Sequence, residues 1–353
     1  MELGVYSFGD VQRDPATGEL GSTAQAQRNL LEAIRLADEV GLDYFGIGEH
    51  HTKEMPASAA TVVLGAAASV TRNIILGSAV TVLSTDDPVR VYQQFATLDA
   101  LSNGRAEITA GRGSSTESFP LFGHSLNDYD DLYAEKLDLL LRINESEQVT
   151  WQGKFRPSLS DALVVPRPDS GRLPIWLATG GNPNSTVRAA LSGLPVSYAI
   201  IGGQAERFAP LAELYRRAVE QVKAPGADVR ISVASPGFIG EDAQAAKDLW
   251  WNHYHEAFRA LGEIRGFPAP QRSGYDRDAN GGGALFVGSP EEIAARIVAL
   301  HGSMGHDRHF FQMDLGQLPQ KDFLKSIELL GTKVKPLVDA ALAGNAGAQL
   351  ETA

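Results

Sequence analysis

Eight short apolar runs punctuate the chain, and segments with apolar residues at helical spacing lie between them. The runs are Glu2–Phe8, Leu42–His51, Asn73–Val82, Arg105–Ala110, Pro174–Ala178, Pro195–Ile201, Arg230–Ala234 and His309–Leu315, each read as a strand. Helix signals fall in the intervals. Ser22 or Thr23 caps a stripe of Leu30, Leu31, Ile34, Ala37 and Val40 that Gly41 closes. Further helices are predicted over Pro88–Leu101, Asn127–Ile143, from Pro183, Ala205–Val222, Ala243–Leu261 and Pro319–Leu342. Ser289-Pro290-Glu291-Glu292 starts another, with an N-cap, a proline at the first turn and an acidic N-terminus.

Strands alternating with helices, without internal repeats, predict one α/β domain over residues 1–353, a (β/α)8 TIM barrel. A doubly wound open sheet is the alternative, but Phe8-Gly9-Asp10 does not supply the glycine-rich turn that such a fold places after its first strand. Two insertions break the rhythm, after strands 4 and 7. Residues 145–172 suggest a small hairpin around Val149–Phe155, and residues 262–283 read as a mobile flap rich in Arg, Gly and Pro. The tail over 344–353 is small and polar and is expected to fray.

One helix is unlike the others. Ala57–Val70 carries no charged residue, and its apolar side chains run all round. A helix on the outside of a lone domain needs a polar face, so a homodimer interface is expected here; the C-terminal segment of the same chain is the other possible cover.

Composition narrows the function. The 353 residues are 43% hydrophobic and 21% charged, with no cysteine and a net charge of −12. No apolar run is long enough to span a membrane, and no signal peptide is read, so a cytoplasmic protein without a membrane partner is expected. The missing cysteines exclude disulfides and thiol nucleophiles. The negative charge argues against nucleic acid as a partner, and any phosphate-bearing ligand must be held by local donors.

Chemistry belongs at the C-terminal ends of barrel strands. The second strand ends in Glu49-His50-His51, where alternation prevents both imidazoles from facing the barrel mouth. That weakens a metal site and favours an acid–base histidine with a carboxylate beside it to orient it. The fourth strand ends in Gly111-Arg112-Gly113-Ser114-Ser115, an anion turn in which Arg112 supplies the donors, or an ordinary turn. The fifth ends in Gly180-Gly181-Asn182-Pro183-Asn184-Ser185, a helix start free of acids and the best phosphate site; Gly202-Gly203 is a weaker second.

These junctions together resemble the bacterial luciferase-like flavin monooxygenase family. The resemblance spans nearly the whole chain: Val40–His51, Leu76–Val82 with Asp87-Pro88-Val89-Arg90, Leu98–Arg105, Gly111–Gly113, the Gly180-Gly181 turn and Val287–Glu292. It implies a barrel that binds FMN, used in reduced form and supplied by a partner reductase, so that NAD(P)H is consumed indirectly. The family's chemistry inserts oxygen into organic substrates. Residue by residue, it implies that His50 is the active-site histidine, with Glu49 and His51 in support. Ala79-Val80 would run under the isoalloxazine, with a non-proline cis peptide possible between them, and Arg112 with Gly181–Ser185 would contact phosphate. This chain departs from the family by placing acids at Asp130-Asp131, near where luciferase has a second phosphate arginine. The leading expectation is a flavin-dependent monooxygenase. An FMN- or deazaflavin-dependent dehydrogenase or reductase, and a flavin-binding protein without catalysis, remain as alternatives.

Overall fold

The computed structural model describes residues 1–13, 17–113, 116–222 and 228–351, with side chains for all of these except 264–265 and 345–351. Eight parallel strands close on themselves. They are β1 (Glu2–Ser7), β2 (Tyr44–Ile47), β3 (Ile75–Ser78), β4 (Ala106–Gly111), β5 (Ile175–Thr179), β6 (Val196–Ala199), β7 (Ile231–Ile239) and β8 (Arg308–Gln312). Each pairs with the next in sequence, and β8 returns to β1 through Glu2↔Arg308 to Tyr6↔Gln312. The fold is the (β/α)8 barrel that the pattern predicts.

Alternation divides every strand between two compartments. Leu3, Val5, Phe45, Ile47 and Leu76 join the layer under the helices, while Tyr6, Tyr44, Ala79, Ala234 and Phe310 fill the barrel itself. Below them the barrel is plugged by charge. Arg308 is 1% exposed, pairs with Glu107 at 2.6 Å and Glu2 at 2.5 Å, and lies over the rings of Tyr44 and Trp176. The Trp176 indole N–H donates to the same Glu107 carboxylate at 3.1 Å. Buried charges of this kind are tolerated only when every partner is present. The plug closes the lower end, so a ligand enters the barrel only from the C-terminal mouth.

Several segments differ from expectation. β7 continues past Ala234, the expected end, through Ser235-Pro236-Gly237; Pro236 is accommodated opposite Gln312. The first insertion is a hairpin, but its strands are Gln148–Trp151 and Leu159–Leu163. The second is no loose flap. Helix Arg272–Ala279 docks on the long helix Ala243–Arg265: Tyr275 is buried and donates to the Lys247 carbonyl, and Arg272 pairs with Asp248 and Asp276. Arg296 then binds the carbonyls of Ala279, Gly283 and Leu285 from behind. The last helix, Lys335–Glu351, runs through the segment expected to fray. The charge-free helix is shorter than expected, Ala60–Ala68.

At the rim of the mouth, two buried carboxyls tie the loops after β1 and β8 together. Asp314 accepts from Ser7 Oγ at 2.5 Å, and Asp10 accepts the Gly316 N–H at 3.2 Å. One oxygen of each has no partner among the described residues. Burial raises both, Asp314 to about 6 and Asp10 well above the ordinary 3.8, with Asp314 adding repulsion. The unfolded chain releases these protons near pH 4, whereas the folded chain keeps them to higher pH. Stability attributable to the pair is therefore full below about pH 4 and declines as pH rises through 6. Asp314→Asn is expected to raise Tm at pH 8 and leave it nearly unchanged at pH 4, measured by thermal denaturation at both; an equal loss at both would contradict this.

Candidate active site

The reactive groups of the second strand lie just past its last residue, Ile47, and their contacts diverge. His50 turns one way, Glu49 and His51 the other. His50 is 6% exposed, lies edge-on to Phe8 with ring centroids 4.4 Å apart, and holds Nδ1 at 2.7 Å from Glu117 Oε1. Phe8 is brought this close by Gly48, where a Cβ would collide with the Phe8 ring and approach the Ala79 carbonyl.

The carboxylate expected to orient His50 does something else. Glu49 Oε1 contacts His51 Nε2 at 2.9 Å, and Oε2 accepts the Val82 N–H at 3.0 Å. Its own N–H donates to the Val80 carbonyl at 3.3 Å. Glu49 therefore laces the end of β2 to Ala79–Val82 and orients His51, which also meets the Phe122 ring. Burial raises the Glu49 carboxyl despite these hydrogen bonds. The residue that orients His50 is Glu117, which lies 67 positions farther along, just before helix Ser118–Leu121. Sequence reasoning did not single out this side chain.

Ala79 lies at the top of the barrel interior, and the Ala79-Val80 peptide is cis. Gly111 stands against it: a Cβ there would be 2.5 Å from Val80 Cγ2. This glycine, read as part of an anion turn, gives room for Val80. Among the described residues no group of three or more His, Cys, Asp or Glu side chains is placed to hold a metal ion.

The chain belongs to the luciferase-like monooxygenase family. The family's model matches residues 1–307. An N-acetyl-S-alkylcysteine monooxygenase of Bacillus subtilis is 28% identical over 65% of this chain and 67% of its own length. An F420-dependent glucose-6-phosphate dehydrogenase of Beutenbergia cavernae is 35% identical over 48% of this chain and 51% of its own. Among solved structures, the oxygenating constituent of 3,6-diketocamphane monooxygenase from Pseudomonas putida, in complex with FMN, superposes with a TM-score of 0.76. It is 19% identical and covers 95% of this chain and 98% of its own. The family thus includes both flavin monooxygenases and F420-dependent oxidoreductases.

In this member of the luciferase-like family, the groups expected to hold phosphate are partly engaged by the chain itself. At the fifth-strand turn, Thr179 Oγ1 accepts the N–H groups of Gly181 and Asn182, and Asn182 Oδ1 accepts those of Asn184 and Ser185. These caps are neutral, and an anion can replace them. At the sixth-strand turn the cap is an acid: the Gly203 N–H donates to Asp278 Oδ2 at 3.3 Å, and Gly202-Gly203 is tied to the second insertion. A phosphate there meets a like charge, which disfavours Gly202 and Gly203 as an anion site.

Arg112 is engaged as well, 2.7 Å from Asp130 Oδ1. Arg188 was missed by sequence reasoning. It lies on the helix that begins at Pro183, with its guanidinium over the Tyr133 ring, and has no ion pair among the described residues. Arg112 and Arg188 both act electrostatically on the Tyr133 hydroxyl, so the two cations lie in the neighbourhood of Tyr133. Asp130 is 77% exposed, and a pair so wet holds Arg112 by about 1 kcal/mol at most. Asp130→Asn is expected to tighten binding of FMN or inorganic phosphate by up to about fivefold, read by isothermal titration. Weaker binding would show that Asp130 presents Arg112 rather than competing for it.

Proposed function

We propose that this protein is a flavin-dependent monooxygenase that uses reduced FMN and dioxygen to oxidise a small organic substrate. The observation that carries the reading is the enclosure of His50, oriented by a carboxylate and edged by Phe8, at the mouth beside Ala79-Val80. The residues present fit the cofactor at both ends. The interior floor of Ala79, Tyr6 and Phe8 is apolar and aromatic and suits a flat ring, while Arg112, Arg188, Gly180, Gly181, Asn182 and Ser185 suit its phosphate. Bound reduced flavin supplies the electrons that activate oxygen. The protein's part is to hold the ring against Ala79-Val80, to keep water out with Phe8 and the plugged barrel, and to hold or move a proton at His50. NAD(P)H enters only through a separate reductase.

The glucose-6-phosphate dehydrogenase relative favours a second reading, a deazaflavin- or FMN-dependent dehydrogenase on the same site. Anaerobic titration with reduced FMN followed by mixing with oxygen separates the two. Saturable binding and reoxidation through a long-lived transient spectrum are expected, and His50→Ala is expected to lower turnover by on the order of 100-fold. Reoxidation at the rate of free reduced FMN would favour the dehydrogenase, and absence of binding would overturn both.

We also propose that the enzyme is a homodimer through helix Ala60–Ala68. Val62 is 71% exposed on this charge-free helix, and Leu121 and Phe122 are exposed nearby at 60% and 51%. A cavity of about 210 Å³ lies between this helix and helix Pro88–Ser102, with Val62, Phe95 and Phe122 on its apolar side and Glu49, Asp86 and Gln94 on its polar side. An apolar patch of this kind needs a cover. Light scattering at micromolar concentration is expected to give twice the chain mass for the wild type and the monomer mass for Val62→Asp; a monomeric wild type would rule the interface out.

A further inference from the structure

Two neighbouring imidazoles at the end of β2 are each held by a carboxylate, but by opposite ring nitrogens. Glu117 meets His50 at Nδ1, and Glu49 meets His51 at Nε2. The state of each carboxyl decides what its imidazole presents. Burial alone would raise Glu117, but hydrogen bonds from the His50 ring and from backbone N–H groups outweigh it and hold the carboxyl below its ordinary range. At neutral pH Glu117 is ionised, and an ionised carboxylate only accepts. The hydrogen between them therefore sits on Nδ1. A neutral imidazole has one N–H, so His50 Nε2 is left with a free lone pair. No partner for Nε2 is found among the described residues.

We propose that Glu117 is the positioning residue of this site: by accepting the Nδ1–H it leaves Nε2 as the open proton acceptor whenever the ring carries a single proton, so that His50 enters the reaction as a base. This rests on the reading that His50 handles a proton in turnover. In the step, an O–H or N–H of the bound substrate gives its proton to Nε2, and the bonding pair stays on the substrate. The resulting imidazolium forms against the Glu117 carboxylate, and its proton leaves afterwards to product or water. The logic is that of a base oriented by a third group. Here the third group comes from the loop after β4, so the loops after β2 and β4 must both be in place before the base is set.

His51 is the internal contrast. Its carboxylate contact is at Nε2, so with Glu49 ionised the singly protonated His51 is the Nε2–H form. Adjacent histidines in one protein should therefore show opposite tautomers. Glu117→Gln keeps the shape, but an amide can accept through oxygen or donate through nitrogen, so both His50 tautomers become populated.

The test is long-range 1H–15N correlation spectroscopy of the full chain, which needs neither flavin nor substrate, together with steady-state kinetics. The wild type is expected to show His50 as the Nδ1–H form and His51 as the Nε2–H form. Glu117→Gln is expected to mix the His50 forms, leave His51 unchanged, and lower kcat roughly 10- to 100-fold with KM within about twofold, a fraction of what a general base contributes. His50 found as the Nε2–H form in the wild type overturns the proposal. So does a Glu117→Gln variant with wild-type tautomer and turnover. The expected tautomers with turnover unaffected by His50→Ala would overturn the base role and locate the error in the functional reading rather than in the geometry.

Discussion

The way the chain leaves β2 after Ile47 decides what the end of the strand can do. Glu49 and His51 share one face and His50 has the other, so one short sequence serves two environments. His50 enters an enclosed space bounded by Phe8 and Glu117. Glu49 and His51 face the segment that carries Ala79-Val80 and the loop that carries Phe122. A one-residue slip of β2 would exchange these roles and bring Glu49 and His51 to the mouth in place of His50. The register Val5↔Phe45↔Leu76, buried on the outer face, prevents that slip.

The barrel beneath is arranged to have a single opening. Arg308, Glu107 and Glu2 close the lower end with charges that satisfy one another, and Tyr44 and Trp176 cover the guanidinium on its faces. Above this plug Tyr6, Tyr44, Ala79, Ala234 and Phe310 form an aromatic and small-residue cluster. At the rim, Arg112 and Arg188 are the cations, and the helix that carries Arg188 in its last turn starts at Asn182, a neutral cap. In a protein of net charge −12, this local concentration of donors is what makes anion binding feasible.

Features fixed by local chemistry were legible in the sequence. Ser22, Asn182 and Ser289 cap the helices that follow them, and the apolar runs became the barrel strands. The position of His50 at a strand end followed from the same reasoning. What escaped depends on tertiary contact. Glu117 reaches His50 from 67 residues away, and nothing in Thr116-Glu117-Ser118 marks it out from a solvated acid. The second insertion is charged and glycine-rich, yet Tyr275 and Arg272 dock it, and Asp278 then takes the amide at Gly203. Ser235-Pro236-Gly237 carries turn residues but continues β7, because strand pairing on both sides outweighs local preference.

The central claim is that His50 and Glu117 act as one unit and that Glu49 belongs to another. A double-mutant cycle on oxygen-dependent turnover with reduced FMN tests it most directly. Once Glu117 is Gln, His50→Ala is predicted to cost much less than it does in the wild type, whereas its cost in a Glu49→Gln background is predicted to be unchanged. A His50→Ala loss that is additive with Glu117→Gln and non-additive with Glu49→Gln would contradict the account.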